Sequence, residues 1–283
     1  IKPNLNYKLG SYGHLHTRLS EVTSYSDVDI LFLGSSLSYR SFDPRIFSDS
    51  GYKTFNLGSS SQTPLQTRVL LNRYLGTLNP EVIIYEVNPI VLSLDGVESA
   101  LDLISNGPND INTVKMAMKI NKLKVYNTLI YGITREIFGL NNDFIEPSVT
   151  ENDMYVPGGF VEREIRYYEP QEGQKTEISL ADYQLEAFSE IVSLIRSKNI
   201  DLILLFIPNA NVNYQRYVNI DSFDKTMKKH ATYYNLNGVI EMDDSYHFYD
   251  AHHLNQHGVK KFNEELIELL KKWRITGYEA TPN

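Results

Sequence analysis

Asp29-Ile30-Leu31-Phe32-Leu33-Gly34-Ser35-Ser36-Leu37-Ser38-Tyr39-Arg40 carries an unbroken apolar run straight into a glycine and two serines. Four successive apolar residues are too few for a helix and read as a strand buried on both faces, with small polar residues marking its end. The same grammar recurs at Val82 to Val87 before Asn88 and at Leu202 to Ile207 before Pro208-Asn209. Thr54 to Leu57 gives a fourth short strand, and Gly238 to Met242 is expected as a fifth. Longer stretches of helical period separate these runs. Ser179-Leu180-Ala181-Asp182 resembles a capping box opening a helix that runs to about Ser197, and Asn255 to Trp273 carries apolar residues at helical spacing. Strands alternating with helices predict parallel βα units, hence an α/β fold: a three-layer α/β/α sandwich around a parallel sheet. One domain over residues 1–283 is expected, with an insertion or cap at about 95–175, where a helix-like stretch near Val114 to Phe138 precedes a polar, tyrosine-rich segment.

The chain has 283 residues, 42% of them hydrophobic, enough for a sizeable core. Its formal charge of −8 and the absence of any Lys/Arg stripe argue against nucleic acid as a partner. With no cysteine, disulfides and thiolate chemistry are excluded while the compartment stays open. No apolar run approaches the roughly 20 residues that span a bilayer. The chain begins at Ile1 rather than methionine, which suggests trimming of an upstream signal or membrane anchor, and an extracytoplasmic or cell-envelope location is expected over a cytoplasmic one.

In open α/β sheets ligands bind beyond the carboxyl ends of the strands, so Gly34-Ser35-Ser36, Ser59-Ser60-Ser61, Asn88 and Pro208-Asn209 should share one rim. Any one of these clusters could be an ordinary turn. Near the C-terminus stands Tyr249-Asp250-Ala251-His252-His253-Leu254-Asn255-Gln256-His257-Gly258. A serine hydroxyl becomes a nucleophile when a histidine takes its proton and a carboxylate holds that histidine's tautomer, and Asp250 with His253 could do both from one turn.

With these residues assembled, the chain resembles the SGNH, or GDSL-type, hydrolase superfamily. Gly34-Ser35-Ser36-Leu37 is similar to that family's Gly-Asp-Ser-Leu turn, which makes Ser36 the matching nucleophile. Asn56-Leu57-Gly58-Ser59-Ser60-Ser61-Gln62-Thr63 resembles its second block, Glu86-Val87-Asn88-Pro89 its third, and Asp250-Ala251-His252-His253 its last. The resemblance implies a flavodoxin-like three-layer fold and a Ser36–His253–Asp250 triad. It also implies an oxyanion hole from the N–H groups of Ser36 and Ser61 and the amide of Asn88, with no cofactor. Ser35 stands where the family has aspartate, Ser61 where it has glycine, and Glu86 and Pro89 flank Asn88 in place of glycine and aspartate. Glu86 and Pro89 in these places resemble a divergent branch of polysaccharide O-acyltransferase-like and cell-envelope proteins.

The expected function is therefore a serine-dependent esterase or deacetylase acting on a small-molecule or carbohydrate acyl ester. The alternatives are an O-acyltransferase with the same triad and a non-catalytic binding protein on this fold. Asp244-Ser245-Tyr246-His247 repeats the Asp-x-x-His spacing, and His252 is a second rival, but Leu254-Asn255 and Gly258 after His253 favour Asp250/His253. His253 and His257 would share a helical face as in some zinc sites; no carboxylate-bearing zinc signature accompanies them, and no metal is expected. Glu86 reads as a satisfied structural carboxylate, the tyrosines as half-buried packing residues, and Arg40 and Arg68 as partners in surface ion pairs.

Overall fold

A computed structural model describes residues 6–10 and 12–273; Ile1 and the trimming inferred from it lie outside these. The strands are β1 (Ile30–Leu33), β2 (Thr54–Asn56), β3 (Val82–Glu86), β4 (Val149–Thr150), β5 (Asp153–Val156), β6 (Phe160–Arg163), β7 (Asp201–Phe206) and β8 (Thr232–Asn235). The helices are α1 (Leu15–Glu21), α2 (Ser36–Ser41), α3 (Pro44–Asp49), α4 (Pro64–Leu78), α5 (Val97–Asn106), α6 (Ile111–Ile120) and α7 (Leu123–Ile137). They continue with α8 (Asp182–Ser197), α9 (Asn211–Tyr214), α10 (Ile220–His230) and α11 (Gln256–Trp273).

Five strands form one sheet in the order β2-β1-β3-β7-β8, and every pairing in it is parallel. The apolar runs are continuous because successive side chains go to opposite faces and both faces are covered. Leu31 and Leu33 join the core built with α4, α8 and α10, whereas Ile30 and Phe32 join the one built with α3 and α11. This is a three-layer α/β/α sandwich with a flavodoxin-like strand order. After β1 the chain moves outward to β2, then crosses to β3 on the other side of β1. The winding therefore reverses between β1 and β3, the kind of point beyond whose carboxyl ends open α/β sheets bind ligands.

Three expectations are corrected. The edge strand is Thr232–Asn235 rather than Gly238 to Met242. At the sheet's edge only Tyr233 is fully buried, so no continuous apolar run marks it; Ile240 is buried instead beneath a turn that includes Gly238. No capping box opens α8 at Ser179, because its first turn is tied to a neighbouring loop through Ala181 N–H to Leu92 O and Gln184 Nε2 to Leu94 O, both 3.0 Å. The helical stretch near Val114 to Phe138 is two helices, broken where Asn121 turns left-handed with φ 51°.

Between β3 and β7, α5–α7 pack into the α4/α8 core, while β4–β6 form an antiparallel sheet whose last strand lies against α2. Among the described residues no helix is long and apolar enough to cross a membrane.

Candidate active site

Ser36 is the first residue of α2, immediately beyond β1, and half-buried. Two features bring it there. Gly34 has φ 140°, and a Cβ on it would sit 2.5 Å from Glu86 Oε2, so only glycine fits this turn. Ser35 caps the helix, its Oγ accepting from Leu37 N–H at 3.2 Å.

The Ser36 hydroxyl lies 2.9 Å from His253 Nε2. On the other side of the ring, His253 Nδ1 is 2.9 and 3.0 Å from the two Asp250 oxygens. Asp250 Oδ1 also accepts the backbone N–H groups of His252 and His253, both at 2.9 Å. Burial alone would raise the Asp250 carboxyl. The bonds and charge of His253, with those two N–H donors, outweigh it and hold the group well below the usual carboxylate range. An ionised Asp250 draws the imidazole proton to Nδ1 and leaves Nε2 bare, so Ser36 O–H donates to it.

The rival histidines are engaged elsewhere. His252 turns away, its Nδ1 lying 3.1 Å from both Asn209 Oδ1 and Asn213 Nδ2, and burial pushes its imidazole down. Asp244 caps α9 by accepting from Asn211 and Val212 N–H at 2.6 and 2.9 Å. His247 accepts from Asp243 N–H at 2.9 Å, and His257 stacks on Tyr246 with ring centroids 4.7 Å apart.

The three donors expected to form an oxyanion hole have no described partner: the N–H of Ser36, the N–H of Ser61 and the amide Nδ2 of Asn88. Asn88 is buried, and its Oδ1 accepts from Ile90 N–H at 2.8 Å, which fixes the amide. Ser61 is left-handed, φ 49°, a conformation that glycine adopts freely and serine adopts under strain. Gly58 has a different place: its N–H is taken by Asn56 Oδ1 at 2.8 Å, and a Cβ there would meet the carbonyls of Ser35 and Gly34 at 3.0 and 3.1 Å. Asn56 completes the clamp, exchanging bonds with Ser38 O and Ser38 Oγ at 3.0 and 3.2 Å. The second loop is thereby fastened to the Ser36 helix.

Two residues differ from their sequence reading. Glu86 is fully buried yet only half satisfied: Oε2 accepts Ser35 N–H and Oγ–H, both at 2.9 Å, while Oε1 has no partner. Burial pushes its carboxyl up to about 7, the two Ser35 bonds recovering only part of the cost. Arg40 is no surface residue but is buried in a two-bond pair with Asp153, at 2.9 and 2.6 Å; Arg68 does form a surface pair, with Glu190. Asp153 was not singled out in the sequence because it lies in a polar segment with no apolar period and no motif.

No family profile matches the chain, and no curated protein is significantly similar to it. Solved structures that are similar include a GDSL-like lipase from Bacteroides thetaiotaomicron at 10% identity, covering 93% of this chain and 100% of that one with a TM-score of 0.45. A Bacteroides fragilis protein described as an acylhydrolase is similar at 11% identity over 93% and 98% of the two chains, TM-score 0.44. A psychrotrophic esterase from a Pseudoalteromonas species is similar at 14% identity over 87% and 98%, TM-score 0.39.

Proposed function

We propose that the protein is a serine-dependent acyl ester hydrolase of SGNH type, with Ser36 as nucleophile, His253 as base and Asp250 as its orienting carboxylate. The observation that carries this reading is the unbroken chain from Ser36 Oγ through His253, 2.9 Å on each side, to Asp250. Ser36 Oγ attacks the ester carbonyl carbon as its proton moves to His253 Nε2. The carbonyl oxygen becomes an alkoxide, met by Ser36 N–H, Ser61 N–H and Asn88 Nδ2, whose lack of other partners supports this role. Collapse breaks the ester C–O bond, and His253 returns the proton to the departing alcohol. Water, deprotonated by the same imidazole, then releases the acid and restores Ser36. Carbohydrate or cell-envelope esters are the substrate class that the sequence resemblance favours.

The test is intact-mass labelling with a fluorophosphonate probe. One adduct on the parent, mapped to Ser36 and absent from Ser36→Ala and His253→Ala, is the expected result. A folded parent that takes no adduct overturns the reading.

A further inference from the structure

We propose that Arg163 and Arg166 form an anion-binding subsite for the alcohol half of the ester, gripping a carboxylate or phosphate that the leaving group carries; the proposal rests on the hydrolase reading above. Both guanidinium groups lie against one ring: Cζ of Arg163 is 4.4 Å and Cζ of Arg166 5.6 Å from the centre of Tyr249, which directly precedes Asp250. Stacking on an aromatic face holds a guanidinium in place while its N–H edge stays available for a planar anion.

The two arginines are tied to the loop that carries His253. Gln256 Nε2 donates to Arg163 O at 3.3 Å, Asn255 Nδ2 to Arg166 O at 3.1 Å, and Tyr168 N–H to Phe248 O at 3.0 Å. Tyr249 N–H in turn donates to His253 O at 2.8 Å. From the other side Arg163 Nε donates to Asp153 Oδ1 at 2.9 Å, the carboxylate that also holds Arg40 of α2. Arg163 is thus strung between the helix that begins at Ser36 and the loop that holds His253. Its remaining guanidinium N–H groups, and all those of Arg166, donate to no described residue.

Three of the nearby carboxylates are already committed. Asp153 is shared by Arg40 and Arg163, Asp250 is held by His253, and Glu162 is paired with Arg45; Glu164, between the two arginines in sequence, is exposed. The side of the site follows from the chemistry: His253 must hand its proton to the departing oxygen, so the alcohol lies beside the His253 loop, where the arginines are.

Binding of methyl glucuronoside, glucose 6-phosphate and methyl glucoside, followed by ligand-observed NMR, tests the proposal on the parent, on Arg166→Met and on Arg163→Met/Arg166→Met. Charge-assisted bonds of this kind predict that an anionic probe binds about 10- to 100-fold tighter than the neutral one, and the tighter of the two assigns carboxylate or phosphate. Arg166→Met, an exposed position that should leave folding intact, is expected to lose part of that ratio and the double variant most of it. Equal binding of all three probes, or a ratio that survives both substitutions, overturns the subsite. A parent labelled at Ser36 but indifferent to probe charge leaves the hydrolase reading standing without the subsite. A parent that prefers the anions but takes no label at Ser36 does the reverse.

Discussion

Glu86 is the residue at which burial and hydrogen bonding are least balanced. Its carboxyl titrates near 4.5 when solvated and near 7 in the fold. A folded value above the unfolded one means that the native state keeps a proton that the unfolded state sheds. Stability is therefore highest below about 4.5 and falls as pH rises toward 7, by about 3 kcal/mol for this group. Glu86→Gln keeps an oxygen for Ser35 and removes the titration. In urea unfolding, the stability of Glu86→Gln relative to the parent should rise by that amount between pH 4.5 and 7.5; a constant difference would refute the assignment. At Asn88 the proposed role sets the expectation: Asn88→Ala should lower turnover about 10²- to 10³-fold, and steady-state kinetics on an activated acetyl ester check it. Ser36, His253 and Asp250 could be singled out in the sequence because each stands in a local pattern with a chemical requirement. The contacts of Glu86 could not, because a carboxylate ending an apolar run does not reveal which backbone N–H it reaches across the sheet.

At the scale of elements, everything at the site depends on the start of α2, a helix of six residues that cannot sustain itself on propensity. Its first turn is held by Ser35, whose Oγ accepts from Leu37 N–H and donates to Glu86, and by the Asn56 bonds to Ser38. Ser35→Ala removes the cap and leaves Glu86 one donor short, so a loss of about 1–2 kcal/mol is expected. Thermal unfolding measures that loss, and kcat should fall with little change in KM because Ser36 is mispositioned rather than substrate contacts removed. Elements were readable where burial is two-sided: β1, β3 and β7 appear in the sequence as apolar runs. They were misread where tertiary contacts replace local signals. The start of α8 is fixed by Leu92 and Leu94, and the polar edge strand β8 takes its place by pairing with β7.

For the whole molecule, the parallel sheet follows from alternating βα units, and so it could be anticipated from the chain alone. The cross-link between layers could not. Asp153, on β5, accepts from Arg40 of α2 and from Arg163 of β6, joining the antiparallel sheet to the helix that begins at Ser36. Burial would raise this carboxyl, but the two guanidinium groups outweigh it and hold it below its ordinary value. A depressed folded value means that the contribution is present above the unfolded value of about 3.8 and is lost as pH falls through the folded one. Asp153→Asn abolishes it at every pH and strands Arg40, whose side chain is 6% exposed, without a counter-charge. Breaking one partner of a buried pair costs about 3–5 kcal/mol, so the melting temperature should drop by roughly 5–8 °C for a chain of this size. If Arg40 were merely a surface cation, the drop would be within a degree or two, and calorimetry at neutral pH separates the two outcomes. Loss of the cross-link should also loosen α2 against the His253 loop, so fluorophosphonate labelling of Ser36 should slow in the same variant at temperatures where it remains folded.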